Sequence, residues 1–252
     1  MNQSAIMQTL ALNQLLIIDI ETVSQYPGFE SMDDSWKQLW QEKVMKILPA
    51  GVSAAEFYLQ RAGVMAEFAK IICISVGWLK QDESGVNMFL RSFFGNDEHE
   101  LLSKFIVAMN ERNEGLNDWC FVGHNIKEFD IPFICRRLLV HGLPIPNYLD
   151  FQNKKPWETN LIDTFQYWRF GDYKNYTSLK LLSAVLQVPS SKEDIDGSMV
   201  GALYWASDPV EQQNNVHRIV AYCQQDVVAT GNILLRFKGM PLLKQAQIFN
   251  IE

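Results

Sequence analysis

The segment Leu15-Leu16-Ile17-Ile18-Asp19-Ile20-Glu21 sets four aliphatic residues ahead of two carboxylates that alternate with isoleucine. An apolar, branched run this short reads as a buried strand. Side chains alternate faces along a strand, so Asp19 and Glu21 project together on the side of Ile17. Ionised carboxylates beside a buried run are costly unless they are paired or bound to a cation. Two explanations stay open on this segment alone: the strand reaches solvent at its end, or the end holds a metal. Apolar residues make up 48% of the 252-residue chain and charged residues 20%, enough for a substantial core and incompatible with global disorder.

Further strands are expected at 71–79, 86–94, 118–123 and, briefly, 160–163. The short connection around Asp82–Gly85 makes the first two of these an antiparallel hairpin. Helical periodicity covers 32–48, 53–69, 96–112, 131–140, 177–186, 197–205 and 210–237. With no linker or repeat, the expectation is one α/β domain over 1–252, a mixed sheet of about five strands flanked by helices. Residues 24–70 stand between the first two strands as a helical insertion without an interpretable motif. The first basic residue is Lys37, so no secretory leader is expected, and the apolar runs are far short of a membrane span. Four scattered cysteines without a C-x-x-C pair argue against a disulfide framework or structural zinc site, and for a reducing, cytoplasmic location.

The formal charge of −7 excludes a passive, sequence-blind coating of nucleic acid, which needs excess Lys and Arg. It leaves room for an enzyme that handles nucleic acid through metal ions. Two more acidic clusters stand out. Gly123-His124-Asn125-Ile126-Lys127-Glu128-Phe129-Asp130 joins a strand to a helix, and Asp130 suits either the N-cap of that helix or a ligand site at the sheet edge. Tyr222 and Asp226 share one face of the last helix. A calcium loop at Asp194-Ile195-Asp196-Gly197 fails, because positions one and twelve fall on Lys192 and Leu203. There is no G-x-G-x-x-G, Walker loop or H-E-x-x-H.

The ordered set D-x-E (19–21), N-x-x-x-F-D (125–130) and Y-x-x-x-D (222–226) resembles the DEDD superfamily of 3′–5′ exonucleases. Within it, the chain resembles the proofreading exonuclease of family-B DNA polymerases and the stand-alone predicted exonucleases related to it. Ser178-Leu179-Lys180-Leu181-Leu182 and Asp194-Ile195-Asp196-Gly197-Ser198 add to the match, which spans about 15–237. Tyr222, four residues before Asp226, indicates the tyrosine subclass, since His217 is too distant to take that place.

This resemblance implies a ribonuclease-H-like fold and a hydrolase of single-stranded 3′ ends, DNA favoured over RNA, releasing nucleoside 5′-monophosphates. It implies that Asp19, Glu21, Asp130 and Asp226 hold two divalent cations, Mg²⁺ or Mn²⁺, about 3.5–4 Å apart. Tyr222 would orient the attacking water. Thr22, Asn125 and Phe129 are the candidate substrate contacts, with Phe129 equally suited to the core. Residues 127–180 hold eight Lys/Arg against six Asp/Glu, interleaved with Phe151, Trp157, Tyr167, Trp168, Phe170, Tyr173 and Tyr176, a composition suited to a single-strand groove. The rival expectations are a ribonuclease or oligoribonuclease of the same fold and a silent nucleic-acid-binding module. Against the latter, four clustered acids repel one another without a cation.

Overall fold

The computed structural model describes residues 10–83, 85–113, 119–155, 158–189 and 195–251. The expected strand start at 118, together with Trp157, Lys192 and Asp194, lies outside them. The central strand β1 (Leu15–Ser24) is covered on both faces. Leu16, Ile18 and Ile20 pack beneath α3 (Glu98–Asn113) and α4 (Asp130–Val140), whose Leu102, Phe105, Ile134 and Leu138 are fully buried. Leu15 and Ile17 face α8 (Pro209–Phe237) through Val227, Leu234 and Leu235. Each such aliphatic side chain taken out of water stabilises the fold by about 1.5–3 kcal/mol.

Strand β1 pairs antiparallel with β2 (Ala69–Asp82), and β2 turns into antiparallel β3 (Gly85–Phe94). On its other side β1 runs parallel to β4 (Cys120–Gly123), which runs parallel to β5 (Leu161–Asp163). The order β5-β4-β1-β2-β3, with β2 reversed and helices on both faces, is the ribonuclease-H-like arrangement that the motifs imply. The sheet has six strands rather than about five: β6 (Ile248–Asn250) adds parallel to β3. A three-residue strand with one half-buried and two exposed residues gives little periodicity to read.

Between β1 and β2, α1 (Asp34–Val44) and α2 (Ala54–Arg61) enclose a core of their own. Trp40 stands edge-on to Tyr58 at 5.1 Å and donates its indole N–H to the Ala54 carbonyl at 2.8 Å. The expected helix over 53–69 stops at Arg61. Gly63 weakens it, and the Thr22 hydroxyl donates to the Gly63 carbonyl at 2.6 Å, drawing the chain alongside β1. The remaining helices are α5 (Thr164–Trp168), α6 (Leu179–Val185) and α7 (Val200–Tyr204). No helix among the described residues is long and apolar enough to cross a membrane.

Candidate active site

Asp19 and Glu21 sit in the middle of β1, not at its end as expected: the strand stays paired with β2 as far as Ser24, and alternation turns both carboxylates to the α8 face of the sheet. Helix α8 begins cleanly because Asp208 caps it, accepting from the amides of Val210 and Glu211, with Pro209 in its first turn. It then crosses the sheet so closely that a Cβ at Gly77 of β2 would lie 2.7 Å from Val227 Cγ1. That approach seats Cys223 against β1. Its thiol lies 3.4 Å from both the carbonyl and Oδ2 of Asp19. One ligand atom from each of Asp19, Glu21 and Cys223 lies within 4.8 Å of the others. Tyr222 and Asp226 flank this point from the same helix.

Asp130 arrives from the other face. It is the first residue of α4, and Phe129 occupies the N-cap position. The N-cap reading is therefore corrected by one residue. The buried carboxylate instead accepts from the Ile20 amide at 3.2 Å, tying the helix start to the backbone between Asp19 and Glu21. The loop that delivers it turns sharply at Asn125. Asn125 sits at φ +64, in the left-handed region that asparagine tolerates, and its carbonyl accepts from the amides of Glu128 and Phe129. Asp163, fully buried at the end of β5, collects the amides of Asn125, Lys127, Phe165 and Gln166. It thereby joins the β4–α4 loop to the start of α5.

The electrostatics record how close these groups come. Burial raises the Asp19 carboxyl well above its ordinary range, and the charges of Asp130, Asp226 and Glu21 push it the same way. Asp130 is pushed up to about 7 by burial, with Asp163 and Asp226 adding to it. Burial and the three carboxylates Asp226, Glu21 and Asp19 raise the Tyr222 phenol. A cluster in which each acid makes its neighbours harder to ionise fits a cation site. Its donors are mostly carboxylate oxygens, which suits a hard divalent ion.

Asp19, Tyr222 and Asp226 line a cleft of about 420 Å³ together with Tyr176, Ser178 and Lys180. His124 also lines it. Its ring is held by the Thr164 hydroxyl at 3.0 Å and the Thr177 carbonyl at 2.9 Å, so Nε2 carries the proton, and burial lowers its pKa. A Cβ at Gly197 would stand 4.0 Å from the Tyr222 hydroxyl, which puts that turn at the cleft as well.

The described geometry thus gathers Asp19, Glu21, Asp130, Tyr222 and Asp226. The candidate substrate contacts fare differently. The hydroxyl proton of Thr22 is engaged by Gly63. Phe129 is half-buried, packs on the core and lies 5.3 Å from the Phe133 ring. Asn125 shapes the loop through its backbone.

A family model described as a predicted 3′–5′ exonuclease related to the exonuclease domain of PolB matches residues 64–247, well over half of the chain. The chain belongs to this family. The matched segment carries Asp130, Tyr222 and Asp226, while Asp19 and Glu21 precede it and join the site through the pairing of β1 with β2 and β4. Among solved structures, the chain is similar to the family B DNA polymerase of the hyperthermophilic archaeon Pyrobaculum calidifontis, at 16% identity and a TM-score of 0.48. That match covers 88% of this chain and 24% of the polymerase, so the exonuclease-family chain spans about a quarter of it. No curated protein matches the chain.

Two participants escaped the sequence reading. Cys223 sits within the third motif, but an isolated cysteine there gave no sign of meeting Asp19. Asp163 lay at the end of an expected strand. Its signal was Asp-Thr before a short apolar stretch, a capping pattern.

Proposed function

We propose that this chain is a metal-dependent 3′–5′ exonuclease of the tyrosine subclass. It hydrolyses phosphodiester bonds at single-stranded 3′ ends, DNA in preference to RNA, and releases nucleoside 5′-monophosphates. The observation that carries the reading is the convergence of Asp19, Glu21, Asp130 and Asp226, from two strand positions and two helices, with Tyr222 beside them at the cleft. The reading treats 1–252 as one exonuclease domain, with 24–70 as its insertion.

Asp19, Glu21, Asp130 and Asp226 would hold two Mg²⁺ or Mn²⁺ ions, which supply a more acidic bound water and charge neutralisation at the departing 3′ oxygen. The residues of the chain do the rest. Asp130, bonded to the Ile20 amide, keeps its carboxylate in register with β1. The raised phenol of Tyr222 remains protonated at neutral pH, so it orients water or phosphate oxygen by hydrogen bonding and does not serve as a base. Cys223 donates to Asp19 Oδ2 and narrows the rotamers of that carboxylate. The DNA preference rests on the family's relation to a polymerase exonuclease domain.

The test is digestion of 5′-labelled single-stranded DNA, and of RNA of the same sequence, with and without Mn²⁺. Wild type is expected to shorten the DNA stepwise only with metal, and Asp19→Ala to lose at least about a hundredfold in rate. Equal digestion by both proteins, or digestion that ignores metal, defeats the proposal. Faster digestion of RNA overturns the DNA preference alone.

A further inference from the structure

Next to the cleft lies a surface whose chemistry hydrolysis does not use. Between α5 and α6, every residue from 170 to 176 is exposed. Three of them are large aromatics: Phe170 at 87% exposure, Tyr173 at 78% and Tyr176 at 66%. Single exposed apolar residues are ordinary, but adjoining ones of this size mark interaction surfaces. Phe170 is also held at φ +46, a conformation that bulky side chains rarely adopt, with Gly171 following at φ +88.

The surface runs into the cleft through ring contacts. The Arg169 guanidinium lies 4.2 Å from the Tyr173 ring centroid and 5.3 Å from that of Phe165. Phe165 in turn meets Tyr176 at 5.1 Å and His124 at 5.8 Å, both of which line the cleft with Asp19 and Asp226. Charge favours an anion here. Residues 168–180 contain Arg169, Lys174 and Lys180 against Asp172 alone, in a chain of net charge −7. Of the other rings singled out between 127 and 180, Tyr167 packs against Phe237 at 4.7 Å, Trp168 against the cluster of Leu182 and Ile233, and Phe151 against the main core.

We propose that Phe170, Tyr173 and Tyr176, with Arg169 and Lys174, form a platform for the single strand leading to the cleft. Bases stack on the rings and phosphates meet the cations. A single strand offers a π-face and an anionic phosphate at every nucleotide, which matches both features of the surface. The proposal rests on the exonuclease reading for the strand's polarity, since the 3′ end lies at Asp19 and Asp226. The existence of the platform rests on the surface itself.

The test measures fluorescence anisotropy of 5′-labelled oligothymidylates of about 16 and about four nucleotides, with EDTA present to stop hydrolysis. The full chain is compared with Phe170→Ala/Tyr173→Ala and with Tyr173→Phe. The double variant is expected to bind the longer strand about tenfold more weakly or worse, to bind the shorter one unchanged, and Tyr173→Phe to match wild type. Equal affinity of wild type and double variant for the longer strand overturns the proposal. So does a Tyr173→Phe variant as weak as the double one, because its ring remains. A second arm follows Mn²⁺-dependent hydrolysis of the p-nitrophenyl ester of thymidine 5′-monophosphate, which has no upstream base and is expected to react equally with both proteins. If wild type hydrolyses neither this ester nor labelled DNA, the exonuclease reading falls, while the anisotropy still decides the platform.

Discussion

Asp130 is held by a neighbouring strand's backbone, and its carboxyl, lifted to about 7, has a direct consequence for stability. The folded protein holds this proton more tightly than an unfolded chain, in which the group titrates near 3.8. Its stabilising contribution is therefore complete below the unfolded value and is lost as pH rises through about 7. Asp19 shifts in the same direction. A divalent cation favours the charged carboxylates, against the burial that chiefly holds the protons on and the repulsion that adds to it. Thermal melts of metal-free protein should show Tm falling between about pH 5 and 8, with Mn²⁺ restoring more at the upper end. Asp130→Asn should flatten that slope, and a metal-free Tm that climbs over the same interval would contradict the assignment. Tyr222 gives a second prediction at this scale. Because burial and three carboxylates raise its phenol, Tyr222→Phe should lower kcat by about tenfold to a hundredfold without shifting the pH-rate profile at neutral pH. A profile that loses a limb near pH 7 would instead make the phenol a base.

Helix α4 must be anchored at its far end for Asp130 to stay in register. Arg137 does this with a two-pronged contact to Glu98 of α3, at 2.9 and 2.6 Å, while donating to the Ala66 carbonyl at 2.9 Å. Glu98 also accepts from the Ile71 amide of β2 at 2.7 Å and contacts His141 at 2.8 Å. Both charged partners are buried, so removing one strands the other. Arg137→Ala should cost about 3–5 kcal/mol, measured by urea unfolding, and lower activity through Asp130 even where the protein remains folded. A loss under about 1 kcal/mol would make the pair no more than a surface bridge. Elements of this size also show where sequence patterns stop. The end of α2 at Arg61 depends on a hydrogen bond between Thr22 and Gly63, 41 residues apart. Helix α5 is started by Asp163, whose carboxylate serves a second loop as well. The cap of α5 is local, but no short window along the chain contains the tie of Thr22 to Gly63 or of Asp163 to Asn125.

Across the whole molecule, the acidic balance and the local basic surface predict a particular salt dependence. On the proposed platform, Arg169, Lys174 and Lys180 would be the cations that meet the strand. If about three phosphates are neutralised, log K against log salt should have a slope near −2 for single strands. A slope steeper than about −5 would indicate extended non-specific coating, which a net charge of −7 opposes. The slope should shrink by roughly 0.7 in Lys180→Ala.

By itself, the sequence determined the facing of Asp19 with Glu21 and of Tyr222 with Asp226, because alternation and i,i+4 spacing belong to single elements. It also carried the ordered motifs whose resemblance implied the ribonuclease-H-like sheet. The tertiary structure alone decided which elements meet. Parallel pairing puts β4 beside β1, so that α4 can deliver Asp130 to the Ile20 amide. Close passage of α8 over β2 brings Cys223 to Asp19. The same packing turned Thr22 toward Gly63 and Phe129 toward the core, and left Phe170, Tyr173 and Tyr176 in solvent. These outcomes depend on which surfaces exclude water from one another, a property of the assembled layers that no local pattern encodes.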